Sequence, residues 1–342
     1  MPSAVSEAVV AALGHADEYP DPKCRRLVGD IAAFEGVPDT HVLCGNGSAD
    51  LIYRLALAAK PACALMPAPT FSEYADALSV TGSRIRRHLL DPRDGFELDE
   101  GFVDAIDEDV EMVFVCQPNN PTGAVTPRSL VLRMLKRCEE VGAHLVVDEC
   151  FVPFLEDSSS ISVAGLVEGH PALVVLKAFT KIYAMPGIRL GYLLCSDKTL
   201  VSGIEAAGQP WAVSTLAQAA GSAALGCSAH VEKTREVVAR ERAFLLEGMS
   251  RLGIVAQGCA NFLFFQLADG GALAPAMRRR GILIRDCSNY EGLGPGSYRI
   301  AVKSHSDNER LLDTLHTVLA DGSGSFNHAA NMNAPVYGPP SR

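Results

Sequence analysis

The chain has 342 residues, 48% hydrophobic and 20% charged, enough apolar material for one large domain and a smaller one. A net charge of -10 leaves no basic footprint for nucleic acid or for an anionic membrane surface, so any anion must be met by cations gathered locally. The ten cysteines are scattered without a CxxC pair, which suits small buried thiols in a reducing compartment better than a disulfide framework or a metal site.

The opening stretch, MPSAVSEAVVAALGHADEYP, lacks a basic region and carries Glu7 within its apolar part, so it does not read as a signal peptide. No apolar run approaches the roughly 18 to 20 residues needed to span a bilayer, and a cytoplasmic protein is expected. A glycine turn in CGNGSADLIYRL precedes a helical pattern over 48 to 60, with Ser48 placed to cap it. Such a helix start offers free backbone N–H groups and a positive dipole end, a ready anion site, although a plain capped helix has the same pattern. ACALM (62 to 66) then reads as a buried strand, as do MVFVC (112 to 116), HLVVD (144 to 148), ALVVLKA (172 to 178) and LGYLLC (190 to 195). A helix is predicted over 127 to 142, and continuous apolar strands separated by helices predict a mostly parallel sheet covered on both faces.

Three polar constellations fall at ends of these strands. CQPNNPTGAV (116 to 125) is a turn where ligands sit in open α/β sheets, or a bare turn. Asp148 ends a doubly covered strand and needs a cationic or protonated partner there, or else stays neutral at a cost. In KAFTKIYAMPGIRLGY (177 to 192), Lys181 on its own reads as a surface lysine ending a strand. After about residue 205, long helices (213 to 226, 229 to 252) are followed by the strands NFLFFQL, GILIRD and SYRIAV and a last helix to about 320, the order of an α+β domain. The final Gly, Ser, Asn and Pro-rich stretch reads as a disordered tail.

Together, a strand-end Asp for a protonated pyridine nitrogen, an Asn for a phenolate oxygen, a helix start plus an Arg for a phosphate, and an imine-forming lysine match the needs of pyridoxal 5'-phosphate. With NNPTG and TKIYAMPGIRLGY as its signatures, the chain from about residue 1 to 320 resembles the aminotransferase-like fold type I family. The resemblance implies an α/β fold whose large domain has a mostly parallel mixed sheet between helices, plus a smaller α+β domain. The implied divisions are an N-terminal segment (1 to 22), a cofactor domain (23 to 205), interdomain helices with the small domain (206 to 322) and the tail (323 to 342).

It further implies that Lys181 is the Schiff-base lysine and general acid/base, that Asp148 holds the pyridinium nitrogen, and that Asn120 bonds the ring's 3-oxygen and lies near substrate. Ser48, Ala49, Thr180 and Arg189 are implied for the cofactor phosphate, and Phe71 for stacking on the ring, with Tyr74 close by in sequence. Tyr19 in EYPDP is similar to a tyrosine that reaches the phosphate in the neighbouring subunit, which implies a homodimer with shared active sites. Arg299 in SYRIAV and Arg285 are the implied clamps for substrate anions, unassigned between phosphate and carboxylate, Arg285 having the alternative of an interdomain ion pair. No metal is implied.

Within the family, the RDCSNYEGL run, Trp211 in QPWAVS and Phe151, where transaminases usually carry a tyrosine, are similar to the branch that decarboxylates L-threonine O-3-phosphate for cobalamin assembly. YPDP, NNPTG and the YRI to NERLL ending are shared with histidinol-phosphate aminotransferases, so transamination of a phosphorylated amino substrate stays open. A cofactor-binding but inactive chain is the third alternative, since the family's N-terminal arm ends at about where this chain begins. Ala178 replaces a phosphate-binding hydroxyl of some relatives, a difference of one neutral hydrogen bond, about 1 kcal/mol.

Overall fold

The computed structural model describes residues 1–268 and 271–321, so the tail expected at 323 to 342 lies outside the described residues. Seven strands form the larger sheet: β1 (Val42–Gly45), β2 (Cys63–Ala68), β3 (Arg84–Leu89), β4 (Met112–Cys116), β5 (His144–Asp148), β6 (Leu173–Ala178) and β7 (Gly191–Leu194), in the order β1-β7-β6-β5-β4-β2-β3. β2 to β6 pair in parallel, whereas β7 runs antiparallel to both β1 and β6. Strands β2 and β4 are buried along their whole length, which is why they read as unbroken apolar runs. Odd and even residues feed two different cores: Val113, Val115, Leu145 and Val147 on one face, Met112, Phe114, Val146 and Leu176 on the other.

Two strands escape the apolar pattern. β1 is four residues long, and β3, RIRRHL, is a half-exposed edge strand whose charges discourage further pairing. Four more strands, β8 (Ala256–Gln257), β9 (Phe262–Gln266), β10 (Arg285–Asp286) and β11 (Ser297–Ala301), form an antiparallel sheet in the order β10-β11-β9-β8. The strand expected over GILIRD shrinks to Arg285–Asp286, because the Ile282 N–H closes the preceding helix onto the Met277 carbonyl at 3.1 Å. Helices Ser228–Arg251, Leu273–Arg279 and His305–Asp321 cover this sheet around Leu245, Met249, Phe265, Tyr298 and Leu315.

The sheets meet at the turn after β4. Gln257 Nε2 donates to the Thr122 and Gly95 carbonyls at 3.0 and 2.9 Å, and Cys259 Sγ lies 3.2 Å from the Gly123 carbonyl oxygen. Helix Ser3–Ala12 packs along helix Thr215–Leu225. None of the described helices is long and apolar enough to cross a membrane.

One buried charge cluster braces the larger sheet. Lys177 Nζ lies 3.0 Å from Glu35 Oε2 and 3.6 Å from Glu149 Oε2, Glu149 being fully buried and also accepting from Ser162 Oγ and the Val163 N–H at 2.6 Å each. Burial lowers the Lys177 pKa, but the two carboxylates outweigh it and raise the amine overall; burial pushes the Glu149 carboxyl up against the pull of Lys177. Removing the cation strands both acids. Lys177→Met is therefore expected to cost about 3–5 kcal/mol, read as a shift in the denaturant midpoint; a change of less than about 1 kcal/mol refutes the brace.

Candidate active site

Because β7 reverses direction, Ala178 at the end of β6 pairs with Gly191 at the start of β7, and Gly45 at the end of β1 pairs with the same Gly191. One edge of the sheet thus gathers the turn after β1, the NNPTG turn after β4, Asp148 at the end of β5, and the loop that carries Lys181 and Arg189. The backbone alone brings these segments together, as expected for a site beyond the carboxyl ends of parallel strands.

Asp148 is 4% exposed. Tyr74 Oη donates to its Oδ2 at 2.8 Å and the Cys150 N–H to its Oδ1 at 3.0 Å, and no Lys, Arg or His pairs with it among the described residues. Burial first, and the Asp148 charge second, hold the Tyr74 phenol and the Cys150 thiol well above their ordinary values and push Cys116 up to about 12. The carboxylate is thus ringed by groups that stay neutral, leaving room for one incoming cation. Tyr74 is wholly buried and stacked on Phe114 at 4.8 Å, so it supports Asp148 from below. Phe71 is the half-buried ring above, edge-on to Tyr74 at 5.5 Å. Of the two aromatics that sequence left adjacent, Phe71 is the one still free to meet a ligand.

At the anion end, helix Ser48–Ala59 begins one residue earlier than a Ser48 cap requires: Gly47 occupies the cap position and no side chain caps it. Its first N–H groups, from Ser48 and Ala49, open toward the site edge. Asp50 shapes the turn by accepting the Asn46 N–H at 2.9 Å, its charge balanced by Arg54 at 2.6 Å. The Arg189 guanidinium lies over Gly47, where a β-carbon would fall 2.6 Å from Nη2; a β-carbon on Gly191 would fall 2.5 Å from the Ser48 nitrogen. Both glycines are needed for the helix start, β7 and the guanidinium to come this close. Arg189 donates to the Pro186 carbonyl at 3.2 Å and has no carboxylate partner among the described residues, while Thr180 is buried beside it in sequence order before Lys181. A cation and a helix dipole end therefore meet at one edge, where the only first-turn acid among the described residues, Asp50, is already balanced by Arg54.

Lys181 is exposed, unpaired among the described residues, and lies 5.6 Å from the Phe151 ring centre. Phe151 meets Phe262 of β9 edge-on at 5.1 Å, and the Arg299 guanidinium lies 5.2 Å from the Phe262 ring centre. Arg299 donates a short hydrogen bond to Asn120 Oδ1. In the smaller sheet Arg285 stands directly opposite Arg299, and like charges in that position repel unless something anionic joins them. Arg285 donates to Asn289 Oδ1 at 3.2 Å and lies 5.6 Å from the Tyr290 ring, so the interdomain ion pair open to it from sequence is not formed. Burial raises the Tyr290 phenol, opposed by both arginines. Tyr19 is 81% exposed, and its ring meets Trp211 at 4.7 Å instead of touching these groups.

Phe262 and Tyr290 are the site-edge residues that sequence reasoning did not single out, while Tyr74, named beside Phe71, turns out to brace Asp148. Phe262 has the signal of an ordinary core strand, and Tyr290 only that of the run containing it. In sum, among the described residues the edge offers an amine without an ion pair, a buried carboxylate lacking a cation, an anion cradle and two arginines without a carboxylate partner.

A sequence profile described as aminotransferase class I and II matches residues 2–315. The chain is 35% identical over 322 residues to the threonine-phosphate decarboxylase of Salmonella typhimurium, covering 93% of this chain and 88% of that protein. Among solved structures, it is similar to the histidinol-phosphate aminotransferase from Clostridium acetobutylicum, with a TM-score of 0.87 at 27% identity over 94% of this chain and 96% of that one. It is similar also to the L-threonine-O-3-phosphate decarboxylase from Porphyromonas gingivalis, with a TM-score of 0.82 at 26% identity over 92% and 95%.

Proposed function

We propose, from the premise that this chain belongs to the class I and II aminotransferase family, that it decarboxylates L-threonine O-3-phosphate to (R)-1-aminopropan-2-yl phosphate and carbon dioxide for cobalamin assembly. The family and these homologues depend on pyridoxal 5'-phosphate. Two features support a fit to that cofactor: the uncapped helix start with Arg189 over Gly47 suits its phosphate, and the buried Asp148 without a cation suits its ring nitrogen.

Once bound, the cofactor supplies an electron sink for the bond broken at the substrate's α-carbon. Asp148 keeps a proton on the ring nitrogen. Lys181 would hold the cofactor through Nζ and return a proton to the α-carbon, with the Phe151 ring beside it. Asn120 gives its Oδ1 to Arg299, so its amide N–H is left for the cofactor's 3-oxygen. Ser48, Ala49, Thr180 and Arg189 would hold the phosphate, and Phe71 would lie against the ring. Tyr19 reaches the phosphate of the partner subunit in a homodimer.

The observation that carries the substrate reading is Arg285 opposite Arg299. Two guanidiniums on neighbouring strands, neither with a carboxylate partner among the described residues, match a substrate with two anionic groups, and threonine phosphate has a carboxylate and a phosphate close together. Phe151 supports the same reading by leaving the 3-oxygen without a tyrosine hydroxyl. Transamination of histidinol phosphate is the second reading, favoured by the TM-score of 0.87 to a histidinol-phosphate aminotransferase.

Incubating the purified protein with threonine phosphate, with and without 2-oxoglutarate, separates the two. Carbon dioxide released without any oxo-acid is the expected result; glutamate formed from histidinol phosphate only when 2-oxoglutarate is present overturns it, and neither product marks a cofactor binder without turnover. Arg299→Ala is expected to raise KM for threonine phosphate about 10- to 100-fold, as loss of one charge-assisted contact does, and an unchanged KM removes Arg299 from the substrate site.

A further inference from the structure

A cavity of about 340 Å³ lies outside the site just described, between the loop after β5 and the first turns of helix Ser228–Arg251. None of Asp148, Asn120, Lys181, Arg189 or Arg299 lines it. Ile182 and Tyr183 do, and although they follow Lys181 in sequence they belong to the core of Val115 and Val147. The volume falls within the span of small-molecule sites, roughly 300–1,000 Å³.

Most of the lining is apolar, with Phe34, Val152, Ile182 and Leu225 on different walls and Phe34 itself 56% exposed. Two polar groups in it have capacity to spare. Half-buried Arg235 donates from Nε to the Pro153 carbonyl at 2.7 Å and from Nη2 to Ser158 Oγ at 3.1 Å, and no carboxylate pairs with it among the described residues. Tyr183 is 7% exposed, and its hydroxyl has no hydrogen-bond partner among the described residues. Burial above all pushes that phenol up to about 12, so it is a neutral donor. Ser228, also in the lining, opens a helix that no side chain caps. Of the acids in the wall, Glu35 already accepts from Lys177 at 3.0 Å and from the Tyr192 hydroxyl, and Glu232 is exposed one turn before Arg235.

A guanidinium fixed on one side by a carbonyl and a hydroxyl keeps its other N–H groups for a planar acceptor, and the apolar walls make it costly to leave them bare. A dianion would have its second charge repelled by Glu35 and Glu232, so a single negative charge is the better match. We propose that this cavity is a second ligand site, for a small monocarboxylate with an apolar body, its carboxylate on Arg235 and its body among Phe34, Val152, Ile182 and Leu225. One wall adjoins Phe151, the ring next to Lys181, and the other belongs to the helix that reaches the smaller domain's core through Leu245 and Met249. An occupant therefore touches both halves of the molecule without entering the cofactor site.

The test titrates the cofactor-loaded protein with 3-phenylpropanoate by calorimetry and repeats the titration with 3-phenylpropanamide, which has the same body without the charge. Expected is saturable binding of one carboxylate per chain, with the amide and the Arg235→Gln variant each weaker by about 10- to 100-fold, as loss of a charge-assisted contact requires. Val231→Trp, which fills the cavity from its helix wall and leaves the guanidinium in place, is expected to abolish binding. Arg299→Ala, which alters the other arginine-bearing site, is expected to leave it within about twofold. No saturable binding up to roughly 10 mM, an amide that binds as well as the acid, or binding lost in Arg299→Ala and kept in Val231→Trp overturns the proposal, whether or not Arg235→Gln folds.

Discussion

Lys181→Ala is expected to reduce turnover by at least about 10^4-fold, because in the proposed reaction it removes both the covalent tether and the proton carrier in one step. The same change is expected to alter the free energy of unfolding by less than about 0.5 kcal/mol, since the side chain is exposed and makes no ion pair among the described residues. Borohydride treatment of the loaded protein, followed by peptide mapping, should find the cofactor fixed to Lys181 and none fixed in the variant. A label on Lys177 instead would reassign the amine. That outcome is opposed by the ion pairs Lys177 makes with Glu35 and Glu149 on the other face of the sheet.

Asp148→Asn carries the second large effect. The substitution keeps the shape and leaves the Cys150 N–H its acceptor, and the Tyr74 hydroxyl can turn to accept instead of donate, so the fold should survive. What it removes is the negative charge that faces the Tyr74 hydroxyl and the Cys150 N–H. The proton on the cofactor's ring nitrogen then loses its partner in a buried setting, and kcat should fall roughly 10²- to 10³-fold with a smaller change in KM. The bound cofactor's absorbance should shift toward its unprotonated form. An Asn variant with kcat within about twofold of the parent would exclude Asp148 from this role.

Which parts of this arrangement could be read from sequence follows from how local the signal is. Strands β2, β4, β5 and β6 are covered on both faces, so each one prints itself as an apolar run, and Asp148, Asn120, Lys181 and Arg189 stand out against those runs as the polar residues at their ends. β3 hides because an edge strand is free to be charged, and β1 because four residues hold too little pattern. Tyr74 beneath Asp148 and the pairing of Arg285 with Arg299 depend on packing and register, which no local window contains.

The larger sheet supplies Lys181, Asp148, Asn120, Arg189 and the helix start, whereas Arg285 and Arg299 belong to the smaller one. Across the divide run the Arg299 to Asn120 hydrogen bond and the Phe151 to Phe262 contact. Any displacement of the smaller sheet therefore alters the two arginines together while the hairpin register of Ala178 and Gly191 leaves the lysine and the phosphate cradle where they were. Holding the reagent and choosing what it acts upon are then largely separable inheritances: changes on β10 and β11 away from Arg299, which touches Asn120, can explore new substrates generation by generation while the lysine and the helix start stay in place.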